Sequence, residues 1–215
     1  MVDADRRWHD GVAAGRAWAS RRIGITLRTL LPVLLCCWLA SNAAAATLEG
    51  ETLPDSYKVD GQTLVLNGIG LRTLTIFRIE AYVAGLYLPR PSHDAARILA
   101  SSDPKIILLK FIRGASKQRV EQQYREGEVN NCGKGECAST DQADFERLVA
   151  AAPAVKAGDT STYIFTARGV RVFANDRLIG DFADRDLAYR LLSGFIGAHP
   201  PSPELRRGLL GLPAE

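Results

Sequence analysis

The run K-I-I-L-L-K-F-I at residues 105–112 constrains the fold more than any other stretch. It is nearly all apolar and shows no alternation, so it reads as a strand near the centre of a sheet. It passes through Arg113, Gly114 and Ala115 into a segment of opposite character, S-K-Q-R-V-E-Q-Q-Y-R-E-G-E-V-N-N, which has helix-forming composition and no proline. Ser116 is the expected N-cap. In that helix Lys117, Tyr124 and Asn131 stand seven apart, which is within about 20° of two full turns, so a cation, a phenol and an amide share one stripe. Such a stripe is either an ordinary solvated face or a site, and both readings stand at this point.

The first 46 residues read as an export leader rather than as part of the fold. Arg16, Arg21, Arg22 and Arg28 precede an uncharged run at 30–40, and Ser41-Asn42-Ala43-Ala44-Ala45-Ala46 then supplies the small residues a signal peptidase needs. The apolar run falls short of the roughly 20 residues of a spanning helix. Cleavage is expected after Ala45 or Ala46, with the product periplasmic or secreted; the alternative is an uncleaved N-terminal anchor. Residues 47–215 then form a single domain, monomeric and with no membrane span.

Loss of the leader leaves basic and acidic side chains in equal number. That balance argues against nucleic acid as a partner, which favours a basic surface. Cys132 and Cys137 remain, separated by G-K-G-E; two glycines let the chain turn, and an oxidising compartment favours a disulfide. Two free thiols are the alternative. A metal site is the weaker reading, because there is no second cysteine pair and His93 and His199 are isolated in sequence. No cofactor is expected: no glycine-rich phosphate loop precedes a helix.

Further along, residues 47–58 show little periodicity and read as an extended lead-in, with the fold starting near Val59. Strands are expected at 62–66 and 71–79, divided by an Asn67-Gly68 turn, and at 80–88, where Tyr82, Ala84, Leu86 and Leu88 share one face and Val83, Gly85 and Tyr87 the other. Both faces of that strand are apolar enough to be covered. Helices are expected at 93–100, 140–150 and 184–195, with a last one capped by Ser202, and two strands form a hairpin around Asn175-Asp176. Asp184, Asp186 and Asp181 read as a cap and first-turn charges of the helix that follows. The order gives an α+β domain whose antiparallel sheet is covered on one side by helices.

Three stretches resemble the chalcone isomerase superfamily. Gly68 to Ile76 followed by Ala84-Gly85-Leu86-Tyr87-Leu88 is similar to its opening signature. Arg113 to Lys117 with Tyr124 and Asn131 is similar to its active-site helix, and Phe195 to His199 with Ser202 to Arg206 is similar to its C-terminal segment. The resemblance implies an open-faced β-sandwich, a long antiparallel sheet under a layer of helices with a ligand cleft between. It also implies roles. Arg72 would hold a phenolate, Lys117 and Tyr124 would polarise a ketone, and Asn131 would bind a ligand hydroxyl.

The sequence also departs from the plant enzymes of the superfamily. Tyr82 stands where they carry a threonine on the third strand, their second threonine falls at Ser193 or Gly194, and Lys117 is two residues nearer Tyr124. A retained Arg and Tyr without those hydroxyls suits a carboxylate receptor, as in the fatty-acid-binding members. The expected function is a non-catalytic binder of a fatty-acyl or other small carboxylate or phenolic ligand. The alternatives are an intramolecular lyase of the chalcone isomerase type and an envelope protein acting through a partner surface.

Overall fold

The computed structural model describes residues 45–74, 78–132, 139–200 and 202–213, with the backbone alone for 131, 132 and 139–141. Among the described residues nine strands form two sheets. A small hairpin joins β1 (Ala46–Leu48) to β2 (Glu51–Leu53), and seven strands run as one antiparallel meander in sequence order: β3 (Ser56–Val59), β4 (Gln62–Leu74), β5 (Ile79–Leu88), β6 (Lys105–Phe111), β7 (Thr160–Thr166), β8 (Gly169–Ala174) and β9 (Arg177–Phe182). The helices are α1 (Ala95–Ala100), α2 (Lys117–Cys132), α3 (Ser139–Ala151), α4 (Arg185–Ile196) and α5 (Pro203–Leu209). This is the expected α+β architecture of a long curled antiparallel sheet carrying helices. The 105–112 run lies at its centre as β6, paired with β5 and β7.

Strand alternation divides the core in two. Ala84, Leu86 and Leu88 of β5, Ile107 and Leu109 of β6 and Tyr163 and Phe165 of β7 face the helices, where Leu187, Leu192 and Ile196 of α4 and Leu205 and Leu209 of α5 close over them. Val83, Tyr87, Ile106 and Leu108 face the other way and pack with Leu53, Val59 and Leu64. That second layer corrects the expectation that 47–58 is an extended lead-in and that the fold starts near Val59. Leu53 is fully buried, Tyr57 stacks edge-on to Tyr87 at 4.9 Å, and the Tyr87 hydroxyl donates to Pro54 O at 2.8 Å. The segment lacks periodicity because its strands are three or four residues long, too short to display any.

The Asn67-Gly68 turn is also corrected. Residues 62–74 form one strand with a bulge between Leu66 and Gly68. Here Asn67 is a clamp: its side-chain amide donates to Leu209 O at 2.8 Å and its oxygen accepts from Ser92 N at 2.7 Å. The glycines serve close approach, since a Cβ on Gly70 would lie 2.5 Å from Leu205 O and one on Gly68 would run into Gly208 O. Helix α5 therefore rests directly on the β4 backbone. True two-residue turns occur at Asp60-Gly61 and Asn175-Asp176, where both residues have positive φ. The expected two-strand hairpin is a three-strand meander, because the chain also turns between Thr166 and Gly169.

Helix ends follow the expected chemistry. Asp184 Oδ1 accepts from Asp186 N and Leu187 N at 2.9 Å, and Ser202 Oγ accepts from Leu205 N at 3.1 Å. Asp181 is not a first-turn charge but part of β9. Asp94 caps α1. Among the described residues no helix is long and apolar enough to cross a membrane.

Candidate functional site

Between the helix-facing side of the sheet and helices α2 and α4 lies a cavity of about 630 Å³. Its sheet wall comes from Arg72 on β4, Tyr82 on β5, Leu109 and Phe111 on β6, Ser161 and Tyr163 on β7 and Ile179 on β9. Val120, Tyr124 and Glu128 of α2 and Leu187, Arg190, Leu191 and Phe195 of α4 close the opposite side. Most of the wall's surface is hydrocarbon and aromatic, but charged side chains also line it, among them Arg113, Arg119, Glu80 and Glu126.

Register places the polar groups of the sheet. Arg72 pairs with Tyr82 and Tyr82 with Phe111, so guanidinium, phenol and phenyl stand in one row on the helix-facing side. Tyr82 packs edge-on to Phe111 at 5.7 Å. Tyr124 descends from α2, and its hydroxyl meets that of Tyr163 at 2.6 Å. Tyr163 in turn packs against Phe195 of α4 at 5.7 Å. The three phenols thus stand as a group, near enough that each phenolate would disfavour the next.

Burial sets their protonation. Desolvation pushes the Tyr82 phenol up to about 12 against the opposing pull of the Arg72 guanidinium. Tyr124 also rises to about 12 through burial, moderated by its bond to Tyr163. Tyr163 is raised well above the ordinary phenol by burial first and then by Tyr124 and Tyr82. All three therefore remain neutral O–H groups at physiological pH. Tyr82 and whichever of Tyr124 and Tyr163 accepts in their shared bond keep a proton to donate to a ligand oxygen, and none of the three adds negative charge that would repel an anion.

A further polar pair lies on the helical side. Glu128 of α2 and Arg190 of α4 approach to 4.0 Å, each side chain only 14% exposed. Burial raises the Glu128 carboxyl while Arg190 lowers it. Sequence reading missed both residues and also Tyr163. The available signals were the four-residue spacing from Tyr124 to Glu128, which places them on neighbouring turns, and the Tyr163/Phe165 alternation.

Arg72, Tyr82 and Tyr124 thus come together at the cavity. Lys117 does not: its ammonium donates to Ala150 O at 2.6 Å and Ala152 O at 3.2 Å and pairs with Glu121 at 3.4 Å. It holds the last carbonyls of α3, as a cation at a helix C-terminus does. The stripe of Lys117 and Tyr124 is real, but its first turn faces the end of α3 and its middle turn the sheet. Ser193 also points elsewhere, donating to Arg190 O within α4 at 2.9 Å, and Gly194 reaches the wall instead. The Asn131 side chain and Cys137 lie outside the described residues, and with Cys137 the expected Cys132–Cys137 bridge. Among the described residues no cluster of His, Cys, Asp and Glu is arranged to hold a metal.

The profile of a family described as chalcone isomerase-like matches residues 45–211. No protein of curated function matches the sequence. Among solved structures, the crystal structure of the Arabidopsis thaliana fatty-acid binding protein AtFAP1 superposes with a TM-score of 0.62 at 16% identity, over 78% of this chain and 96% of that one. At that identity the likeness is one of fold.

Proposed function

The chain belongs to the chalcone isomerase-like family, and from that premise we propose that it is a non-catalytic, monomeric binding protein for a fatty-acyl or other small carboxylate ligand. One observation carries the reading: a largely apolar cavity of about 630 Å³ with Arg72 on its wall beside phenols held neutral. That volume is in the range of about 300–1,000 Å³ used for small-molecule ligands. A carboxylate taken out of water needs a cation and further donors, and Arg72 with Tyr82 supplies both kinds of group. Hydrocarbon then meets the aromatic and aliphatic wall. The fatty-acid binding named for AtFAP1 agrees with this use of the fold.

The reading includes export, supported by the basic, apolar and small-residue order of the leader. The test is to express the full chain, recover the exported product and record its mass under native and denaturing conditions. The wild type is expected to release a carboxylic acid that Arg72→Ala, still folded by circular dichroism, no longer carries. A ligand retained by folded Arg72→Ala overturns the reading. A leader still attached overturns the export component.

A second reading, an intramolecular lyase of the chalcone isomerase type, draws on the same neutral phenols, since O–H donors beside a guanidinium suit a developing enolate. It requires chalcone cyclisation faster than the spontaneous reaction and dependent on Arg72 and Tyr124. The engagement of Lys117 with α3 leaves this cavity without one donor that such a reaction draws on in the plant enzymes, which favours the first reading.

A further inference from the structure

We propose that Ser161 forms a second polar position in the cavity, one that takes an oxygen part-way along the chain of the ligand. This deepens the carboxylate-binding reading and rests on it. Ser161 is on β7, a central strand paired on one edge with β6 and on the other with β8. Strand alternation puts its side chain on the helix-facing side with Tyr163 and Phe165, and it lines the cavity. The residue is part-buried, and with both strand edges covered its open side is the cavity. Its hydroxyl makes no hydrogen bond among the described residues and is not one of the unpaired side-chain atoms sealed away from water.

The other hydroxyls of the wall are engaged. Tyr124 and Tyr163 bond to each other at 2.6 Å, and Ser116 Oγ accepts from Arg119 N at 3.3 Å as the cap of α2. Tyr82 stands opposite Arg72 at the carboxylate end. Ser161 is left with a donor and acceptors that only water or a ligand can meet. Hydrocarbon drawn across it strips the water and leaves the hydroxyl without a partner, which weakens binding; a ligand oxygen at that point replaces the water.

Register fixes where on the ligand that oxygen falls. Tyr82 is opposite Phe111 and Ser161 is opposite Leu109, so the two positions are two strands and two residues apart. That is about 10 Å across the sheet and about 7 Å along it, or about 12 Å in all. An extended hydrocarbon advances about 1.2 Å per bond, the same rise that gives a peptide about 3.6 Å for three bonds. With the carboxylate at Arg72 and Tyr82, about ten bonds reach Ser161. The fitting ligand is a fatty acid of about twelve carbons with a hydroxyl or keto oxygen in the outer half of its chain.

The experiment measures dissociation constants, by calorimetry on the delipidated exported protein, for dodecanoate and for dodecanoates carrying one hydroxyl at successive chain positions. An acid hydroxylated in its outer half is expected to bind about fivefold tighter than dodecanoate, the scale of one neutral hydrogen bond. Ser161→Ala, which removes only the hydroxyl, is expected to bring that ratio to about one. It should do so by weakening the hydroxy acid while dodecanoate binds as well or better, whereas a loosened wall would weaken both acids together. Equal wild-type affinities, or a gain confined to hydroxyls next to the carboxylate, overturn the Ser161 position and leave the carboxylate reading standing. A preference that survives Ser161→Ala, or a parallel loss for both acids, overturns the assignment to this residue. If no acid binds, both readings fail.

Discussion

The hydroxyls of Tyr124 and Tyr163 lie 2.6 Å apart, a phenol-to-phenol hydrogen bond that ties α2 to the sheet at the cavity wall. One residue comes from a polar helix and the other from a strand 39 positions later. The bond both fixes the height of the helix over the sheet and leaves one of the two O–H groups free to donate beside the ligand space. Tyr124→Phe or Tyr163→Phe is expected to cost about 1–2 kcal/mol of stability, since each leaves the other hydroxyl without its partner. The double substitution should cost less than the sum, with a coupling of about 1 kcal/mol in a urea-denaturation cycle. Additivity within about 0.3 kcal/mol would show that the bond contributes nothing.

Alkaline pH should destabilise the fold. Tyr82 and Tyr124 rise to about 12 when buried, against 10.0 for a free phenol. Between those values the unfolded chain has released protons that the native chain retains, so stability falls as pH rises. The contribution is complete below pH 10 and is lost through about 12, at up to about 1.4 kcal/mol per pH unit for each phenol. Ultraviolet titration of phenolate should show these tyrosines ionising late or only with unfolding. In Tyr82→Phe the alkaline slope should become shallower; an unchanged slope refutes the assignment.

Lys117 should prove structural. Its ammonium bonds to Ala150 O and Ala152 O at the end of α3 and is about half exposed. Lys117→Met is expected to cost at most about 1 kcal/mol, because solvent screens a partly exposed cation. Fatty-acid affinity should stay within about twofold. A tenfold loss of affinity at unchanged stability would return Lys117 to the site.

Gly70→Ala should be far more damaging than an exposed glycine substitution. The added methyl would lie 2.5 Å from Leu205 O, which is backbone and cannot rotate away. Helix α5 must lift, at an expected cost of about 1–3 kcal/mol in urea unfolding. By comparison, Gly127 on α2 has nothing within 4 Å of a Cβ, and Gly127→Ala should be neutral or slightly stabilising. Equal effects at both positions would contradict the seating of α5 on β4.

Legibility in the sequence followed the range of the interaction. The face assignment along β5 is as read, with Ala84 and Leu86 in one core and Val83 and Tyr87 in the other. The caps at Asp184 and Ser202 also stand, because a cap is settled within three residues. Asn67-Gly68 misleads for the opposite reason. The pair has turn chemistry, but Asn67 spends its side chain on Leu209, 142 residues away, and Gly68 makes room for α5.

Legible in the sequence alone were the alternation along β5, the central place of residues 105–112 and the helix boundaries to within a few residues. Those are properties of a short stretch of chain, written in side-chain period and composition. Only the tertiary structure decided that Lys117 turns to α3 while Tyr124 meets Tyr163, that β1 to β3 cover the second face of the sheet, and that Glu128 faces Arg190 between α2 and α4. Helical period fixes the direction in which a side chain leaves its own helix; which element waits there depends on contacts between segments far apart in sequence.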